Sequence, residues 1–244
     1  AVLFIVDNTD KERAEKMRRE FSANVSHELK TPLTSIIGYT EIMQNGIAKP
    51  EDSVRFISLI HTEGKRLLSL IEDIIKISRL EENSAKEKQE FLEPVDISSI
   101  CSSVVKELEH KALEFNVTLK TRLPETPVII QGIPITLHEM IFNVCDNAVT
   151  YNKEGGSVTV DVIQNFEREN IEVIIRDTGI GIAPEHQSRI FERFYRVDKS
   201  HSKKTGGTGL GLAIVKHGAQ LMNAKVFLSS EFGKGTTVSF IFRS

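Results

Sequence analysis

The sequence predicts two domains of different class: an all-α antiparallel helical hairpin that pairs with a second copy into a four-helix bundle, then an α+β sandwich. Three observations predict this. Apolar residues at heptad spacing run along the first third of the chain, on both sides of a short turn. A charged stretch, EENSAKEKQE at 81–90, ends that pattern and reads as a linker. Beyond it, β-alternating runs are mixed with helical ones, as in a sheet with helices on one face.

Taken in order, AVLFIVD reads as a short strand before turn formers, the remnant of a preceding domain over 1–10. The hairpin occupies 11–86. Its first helix runs from Lys11 to about Ile47, with Val25, Leu29, Pro32, Ile36, Tyr39 and Met43 spaced 4, 3, 4, 3, 4. NGIAKPED supplies the turn, with Gly46 as stop and Pro50 near the next start. The second helix, about 51–82, carries Ile57, Ile60, Gly64, Leu67, Ile71, Ile74 and Ser78 on its seam, widened by Leu68 and Ile75. Two helices bury little alone, so a homodimer is expected. Residues 87–244 form the sandwich. Asp96 caps a helix to about Glu114; VTLKTRL and PVIIQG are strands; a helix spans about Pro134–Tyr151. SVTVDVIQNF and IEVIIRD pair as strands, a glycine-rich segment follows, a helix starts near Thr208, and AKVFLSS and GTTVSFIF close as a hairpin.

Composition narrows the class. The 244 residues are 40% hydrophobic and 27% charged, with net charge -3 and pI about 6.2, which gives no electrostatic pull towards nucleic acid or lipid. Cys101 and Cys145 fall in apolar helical patterns, far apart and with no histidine at metal-ligand spacing, and read as core residues of a reducing compartment. No apolar run reaches the roughly 18–20 residues that span a bilayer. The chain opens without methionine and is expected to be a cut from something longer.

Four stretches carry chemistry. In FNVCDNA, Asn143 and Asn147 are four apart and share a helix face, where carboxamide oxygens suit Mg²⁺ or simply bond each other. In RDTGIGI, Asp177 ends a β-run, able to accept from an exocyclic amine, and Gly179 and Gly181 allow close approach to a flat ring; an ordinary turn has the same form. In TGGTGLGLAIVKH, the glycines 206, 207, 209 and 211, with Thr208 and Leu210 between, lead into a helix whose free N–H groups attract phosphate. IFERFYRVDKS lies between, Phe191 and Phe194 pinning a loop, Arg193 and Lys199 reading as solvated; GKGT at 233–236 is a hairpin turn or a ligand loop. In the first domain, SHELKTPL places His27 two residues from both Val25 and Leu29. Two helical steps turn about 200°, so His27 points away from the seam. Glu28 can take or orient its ring proton, Thr31 lies one turn on, and Pro32 removes a helix bond and bends the helix as a hinge.

The order of these stretches resembles the sensor histidine kinases: SHELKTPL their dimerisation and phosphoacceptor domain, the sandwich their ATP-binding domain of the gyrase and Hsp90 type. Among them the chain is most similar to phosphate-regulon and cell-wall sensor kinases, and VDNT resembles the end of a PAS domain. The resemblance implies autophosphorylation of His27 by ATP and transfer to a response-regulator aspartate, with regulator dephosphorylation aided by Thr31. It implies that Asp177 reads adenine, Tyr151 covers the ring, Asn143 and Asn147 hold Mg²⁺ and phosphates, and the 206–211 segment closes as a lid. It implies a cytoplasmic portion of a membrane-anchored protein. The chain departs from the family at Thr150 and His201, where lysine and arginine are usual, and at MNAK, where a glycine pair is usual; Lys153 is the candidate replacement cation. Hydrolysing relatives carry a glutamate where Asn143 stands, and an amide is no base, which argues for transfer over hydrolysis. A dimeric scaffold with a dead nucleotide site is the other alternative, opposed by Asn147, Asp177 and the glycines.

Overall fold

The computed structural model describes residues 9–82, 92–165, 167–197 and 207–243; the expected strand in AVLFIVD, most of the linker, and His201 lie outside them. The chain forms two compact units dividing at Ile74–Ile75.

In the first, α1 (Thr9–Gln44) and α2 (Ser53–Glu82) are joined by a turn at Gly46 (φ +66°) and a 3₁₀ turn, Pro50–Asp52. Helix α1 continues through Pro32. Two contacts establish the antiparallel pairing. Tyr39 and Phe56 have ring centroids 5.7 Å apart, and Arg66 Nη2 lies 3.5 Å from Glu28 Oε2, so one helix descends as the other rises. The α1 seam is covered as expected, with Pro32 buried and Val25, Leu29, Ile36, Tyr39 and Met43 half-buried. The α2 seam is covered as expected at Ile60, Gly64, Leu67 and Ile74 and is corrected at three positions. Ile57, Ile71 and Ser78 are exposed, while Phe56 is half-buried and Leu70 buried. The covered stripe takes Phe56 and Leu70 in place of Ile57 and Ile71, which leaves those two on a second apolar stripe with Leu33, Ile37 and Leu68, each 40–58% exposed. Among the described residues no helix is long and apolar enough to cross a membrane.

The second unit is built on a five-stranded sheet. Strands β2 (Thr118–Arg122), β4 (Ser157–Asn165), β5 (Asn170–Asp177), β6 (Lys225–Glu231) and β7 (Gly235–Arg243) take the order β2-β4-β5-β7-β6. Within this sheet the β2–β4 pair is parallel and the rest antiparallel. β2 and β4 are separated by a whole helix, which is what a parallel crossover needs. A strand unforeseen in the sequence, β1 (Glu93–Asp96), pairs with β3 (Ile129–Gly132) in a separate ribbon. Helices α3 (Ile97–Glu114), α4 (Pro134–Thr150) and α6 (Gly211–Leu221) form the other layer; α5 (Pro184–Gln187) is a single turn.

Period-two alternation puts Val158, Val160, Val162, Ile171, Val173, Ile175, Val238, Phe240 and Phe242 under the helices, against Val104, Leu108, Met140, Val144 and Val215. Cys101 and Cys145 belong to this core. Burial pushes the Cys101 thiol up to about 12 and raises that of Cys145 too. Helix α6 begins at Gly211, three residues later than expected, because Thr208 Oγ1 first closes a local turn by accepting the Leu210 N–H. It ends on Asn223 at φ +51°, a left-handed position asparagine tolerates, so MNAK terminates the helix as a glycine would.

Asp96 fastens the start of α3. Its Oδ1 accepts from Ser98 N and Val128 N, both 3.1 Å, and its Oδ2 from the Ser99 hydroxyl at 2.6 Å. Partial burial acts to raise its pKa, but these donors outweigh it and hold the carboxyl below the ordinary 3.8. A depressed folded-state pKa stabilises above the unfolded value and loses that contribution as pH falls through the folded one. Asp96→Ala is therefore expected to cost about 1–2 kcal/mol at neutral pH. The difference from wild type, measured by urea denaturation, should shrink as pH drops below about 4.

Candidate functional sites

In the helical unit His27 is exposed, as its angular offset from the seam requires. It lines an open depression with Lys30, Thr31, Thr34 and Ser35. Thr31 Oγ1 donates to His27 O at 3.1 Å, so its proton is used and its lone pairs are what it can offer. Glu28, one residue on, turns towards α2, where Arg66 takes it. Arg66, whose side chain is only 12% exposed, also lies 3.8 Å from Glu63. Nothing in the amphipathic pattern distinguished Arg66 from a solvated charge.

In the second unit, α4 presents Asn143, Asn147 and Thr150 on one face, at i, i+4 and i+7. Asn143 Nδ2 donates to Glu139 O at 2.7 Å, which turns Oδ1 the other way, towards Gly211. A Cβ on Gly211 would run into that oxygen, so any larger residue there must displace the amide. Asn147 is half-buried, and Thr150 Oγ1 is buried with no hydrogen-bond partner among the described residues. Tyr151 ends α4, 36% exposed, its hydroxyl beside Gly207.

Asp177 stands at the end of β5, the middle strand. Its Oδ1 accepts from Gly179 N (2.7 Å) and Thr236 N (3.1 Å). Burial raises its pKa, and the two N–H donors oppose the shift. The GKGT turn is thus part of the site, the alternative the sequence left open. Gly181, at φ +66°, would drive a Cβ to 2.1 Å from Glu231 O, so the loop lies flat against β6. The Ile180 N–H donates to Tyr151 O, and Gly233 N–H to Ile180 O, which draws Tyr151, the loop and the hairpin together.

Lys153 does not stand free as a phosphate cation: its ammonium donates to Gly233 O, which holds it on the β6–β7 hairpin. Arg193 is likewise not solvated. It is half-buried and donates to His217 Nε2 on α6 at 3.1 Å, and burial lowers its pKa. The aromatic loop docks on the glycine segment: Phe194 N–H donates to Gly209 O at 2.8 Å, beside a fully buried Leu210. Of the residues named from sequence, the fold brings Asn143 to Gly211, Tyr151 to Gly207, and Asp177 to Gly179. Ser230, Gln187 and Arg66 were missed, because each acts through a contact distant in sequence.

Both units match known families. Residues 17–83 match the His Kinase A (phospho-acceptor) domain, and 132–244 the histidine kinase-, DNA gyrase B- and HSP90-like ATPase. The chain is 34% identical to the sensor histidine kinase WalK of Bacillus subtilis over 98% of its length, and 39% identical to the sensor-like histidine kinase SenX3 of Mycolicibacterium smegmatis over 97%. It spans 39% and 60% of those relatives. Among solved structures it resembles full-length ShkA in complex with AMPPNP, with a TM-score of 0.63 and 28% identity over 91% of this chain and 45% of that one. Carrying the phospho-acceptor domain first and the ATPase domain second, the chain belongs to the sensor histidine kinases.

Proposed function

We propose that this chain transfers the γ-phosphoryl group of ATP to His27 and then to an aspartate on a response-regulator receiver domain, working as a homodimer through its hairpin. One observation carries the reading: an exposed histidine, set off from an apolar seam, shares a chain with a nucleotide cradle in which Asn143, an amide and not an acid, faces the glycine segment. A carboxylate there could activate water; an amide cannot, so the phosphoryl group must go to a side chain. The exposed stripe of Leu33, Ile37, Ile57, Leu68 and Ile71 supports the dimer, since a second hairpin would cover it. We place the chain on the cytoplasmic side of a membrane, anchored through segments outside it; fractionation of the full-length protein tests this.

In this reading Asp177 Oδ2 accepts from the exocyclic amine of adenine, since Oδ1 is already engaged. Tyr151 covers the base, with Ile180 and Gly181 forming the pocket floor. The phosphates lie between Asn143, Asn147 and the segment Gly207, Thr208, Gly209, Leu210 and Gly211. The residues fit Mg²⁺ held jointly with phosphate, because Asn143 Oδ1 is directed by its own amide bond into the glycine cradle. Asn143 and Asn147 would hold that ion, which supplies charge neutralisation when bound. At His27 a neutral ring nitrogen forms the new N–P bond. The bond from phosphorus to the bridging oxygen breaks, and its electron pair leaves with ADP. The ring then sheds its remaining N–H proton to Glu28, which Arg66 steadies from α2.

His27→Ala should abolish labelling by γ-labelled ATP while ATP affinity stays within about twofold, because the acceptor lies outside the cradle. The wild-type label should be lost in acid, as phosphohistidine is. Stable labelling of the variant would remove His27 from the reaction. Thr31 has its proton on the His27 carbonyl, so its lone pairs can orient a water at a regulator's phosphoaspartate. Thr31→Ala should slow regulator dephosphorylation at least about tenfold with little change in autophosphorylation. Equal losses in both assays would reduce Thr31 to local support. Gly211→Ala should displace the Asn143 amide and weaken ATP·Mg²⁺ binding roughly tenfold or more by calorimetry. Unchanged affinity would mean that Asn143 does not touch the nucleotide.

A further inference from the structure

Behind the base pocket lies a closed hydrogen-bond bracket made by residues that the sequence pattern did not single out. Ser230, near the end of β6, accepts the Ile182 N–H on Oγ at 2.8 Å. The Ile182 carbonyl accepts from Gln187 Nε2 at 2.8 Å, and the same amide nitrogen donates to Ser230 O at 2.9 Å. Ile182 is therefore held at both its backbone groups, and the Gln187 amide that holds one of them is itself tied to the main chain of Ser230, whose hydroxyl holds the other. The Ser230 hydroxyl also lies 3.1 Å from Gly235 O and 2.9 Å from Thr236 Oγ1, which extends the bracket into the turn of the β6–β7 hairpin.

Both donors on Asp177 Oδ1 lie on the two segments so fastened. Gly179 is on the loop that ends at Ile182, and Thr236 is the neighbour of the Ser230 hydroxyl. A loop that must be ordered when a ligand arrives costs affinity; one already bracketed does not. All three groups of the bracket are part-buried, where a hydrogen bond is worth more than in water.

We propose that Ser230 and Gln187 are positioning residues for nucleotide recognition: they fix the loop and the hairpin so that Gly179 and Thr236 saturate one oxygen of Asp177 and leave the other aimed at the base. This rests on the reading of Asp177 as the residue that recognises adenine. Neither side chain needs to touch the nucleotide.

The test is calorimetry of ATP·Mg²⁺ and GTP·Mg²⁺ on the whole chain carrying Ser230→Ala, Gln187→Met, both, or Asp177→Asn, beside steady-state labelling of His27. Ser230→Ala and Gln187→Met should each weaken ATP binding about fivefold to twentyfold and narrow the preference for ATP over GTP. The double variant should lose less than the product of the two, since they share one bracket. KM for ATP should rise while kcat at saturation holds within about twofold. Ser230→Thr, which keeps the hydroxyl, should bind as wild type does. Melting temperatures without nucleotide should stay within about 4 °C of wild type. Normal affinity and normal ATP preference in Ser230→Ala, with Asp177→Asn impaired, overturns this inference and spares the reading of Asp177. Normal ATP affinity in Asp177→Asn overturns that reading itself. A fall in kcat at constant KM, or multiplicative losses in the double variant, overturns the bracket.

Discussion

A carboxylate at the end of the middle strand of a sheet must be satisfied or neutralised, and the second unit is organised around that requirement at Asp177. Burial alone would drive it towards the neutral acid. Two backbone N–H groups oppose this, one from the loop just after the strand and one from a hairpin 59 residues further on. To bring the second donor in, β7 must lie beside β5 in one register, and it does, with Arg176 opposite Thr237. To bring the first in, the loop must turn at once and lie flat on β6, which is why a Cβ at Gly181 has no room. The sheet order, the glycines and the hairpin turn are consequences of the same charge.

A second constraint governs the phosphate side. Asn143 spends an amide N–H on the carbonyl one turn back, and its oxygen, turned away from that carbonyl, faces Gly211 of the glycine segment. The segment in turn is held by the aromatic loop through Phe194 N–H and Gly209 O, and that loop by Arg193 on His217. Since Arg193 can only donate, His217 Nε2 must be the acceptor, and the imidazole carries its proton elsewhere. The segment facing Asn143 is therefore supported from the helix it leads into.

Much of this was legible in the sequence. Heptad spacing identified the hairpin and the outward placement of His27, because both depend on periodicity alone. Asp96 before an apolar helical run, Pro134 at a helix start, and the alternation in β4, β5 and β7 gave most of the second unit's elements. What was not legible depends on pairing across long separations. β1 is a four-residue strand containing a proline, and only its register with β3 makes it one. Arg66 was not singled out and Lys153 was read as a phosphate cation, since composition says nothing of a partner 38 or 80 residues away. Ile57 and Ile71 fitted the seam, but two stripes one residue apart on the same helix cannot be told from each other by spacing. The asparagine of MNAK looked like a defect, because a glycine pair is defined by residue type, whereas the helix end asks only for a left-handed φ.

The two cysteines have a practical consequence. Both thiols are buried in the helix–sheet core and held protonated far above neutral pH, so in the folded chain they are poor nucleophiles towards maleimides and iodoacetamides. The wild-type sequence thus serves as its own unreactive background for thiol chemistry. A single cysteine introduced at an exposed position, such as Val54 at the foot of the hairpin or Phe232 at the tip of the β6–β7 turn, would accept a spin label or fluorophore without removal of the native pair. Distances between such labels, in solution and with nucleotide added, would then follow domain motion in an otherwise unaltered core.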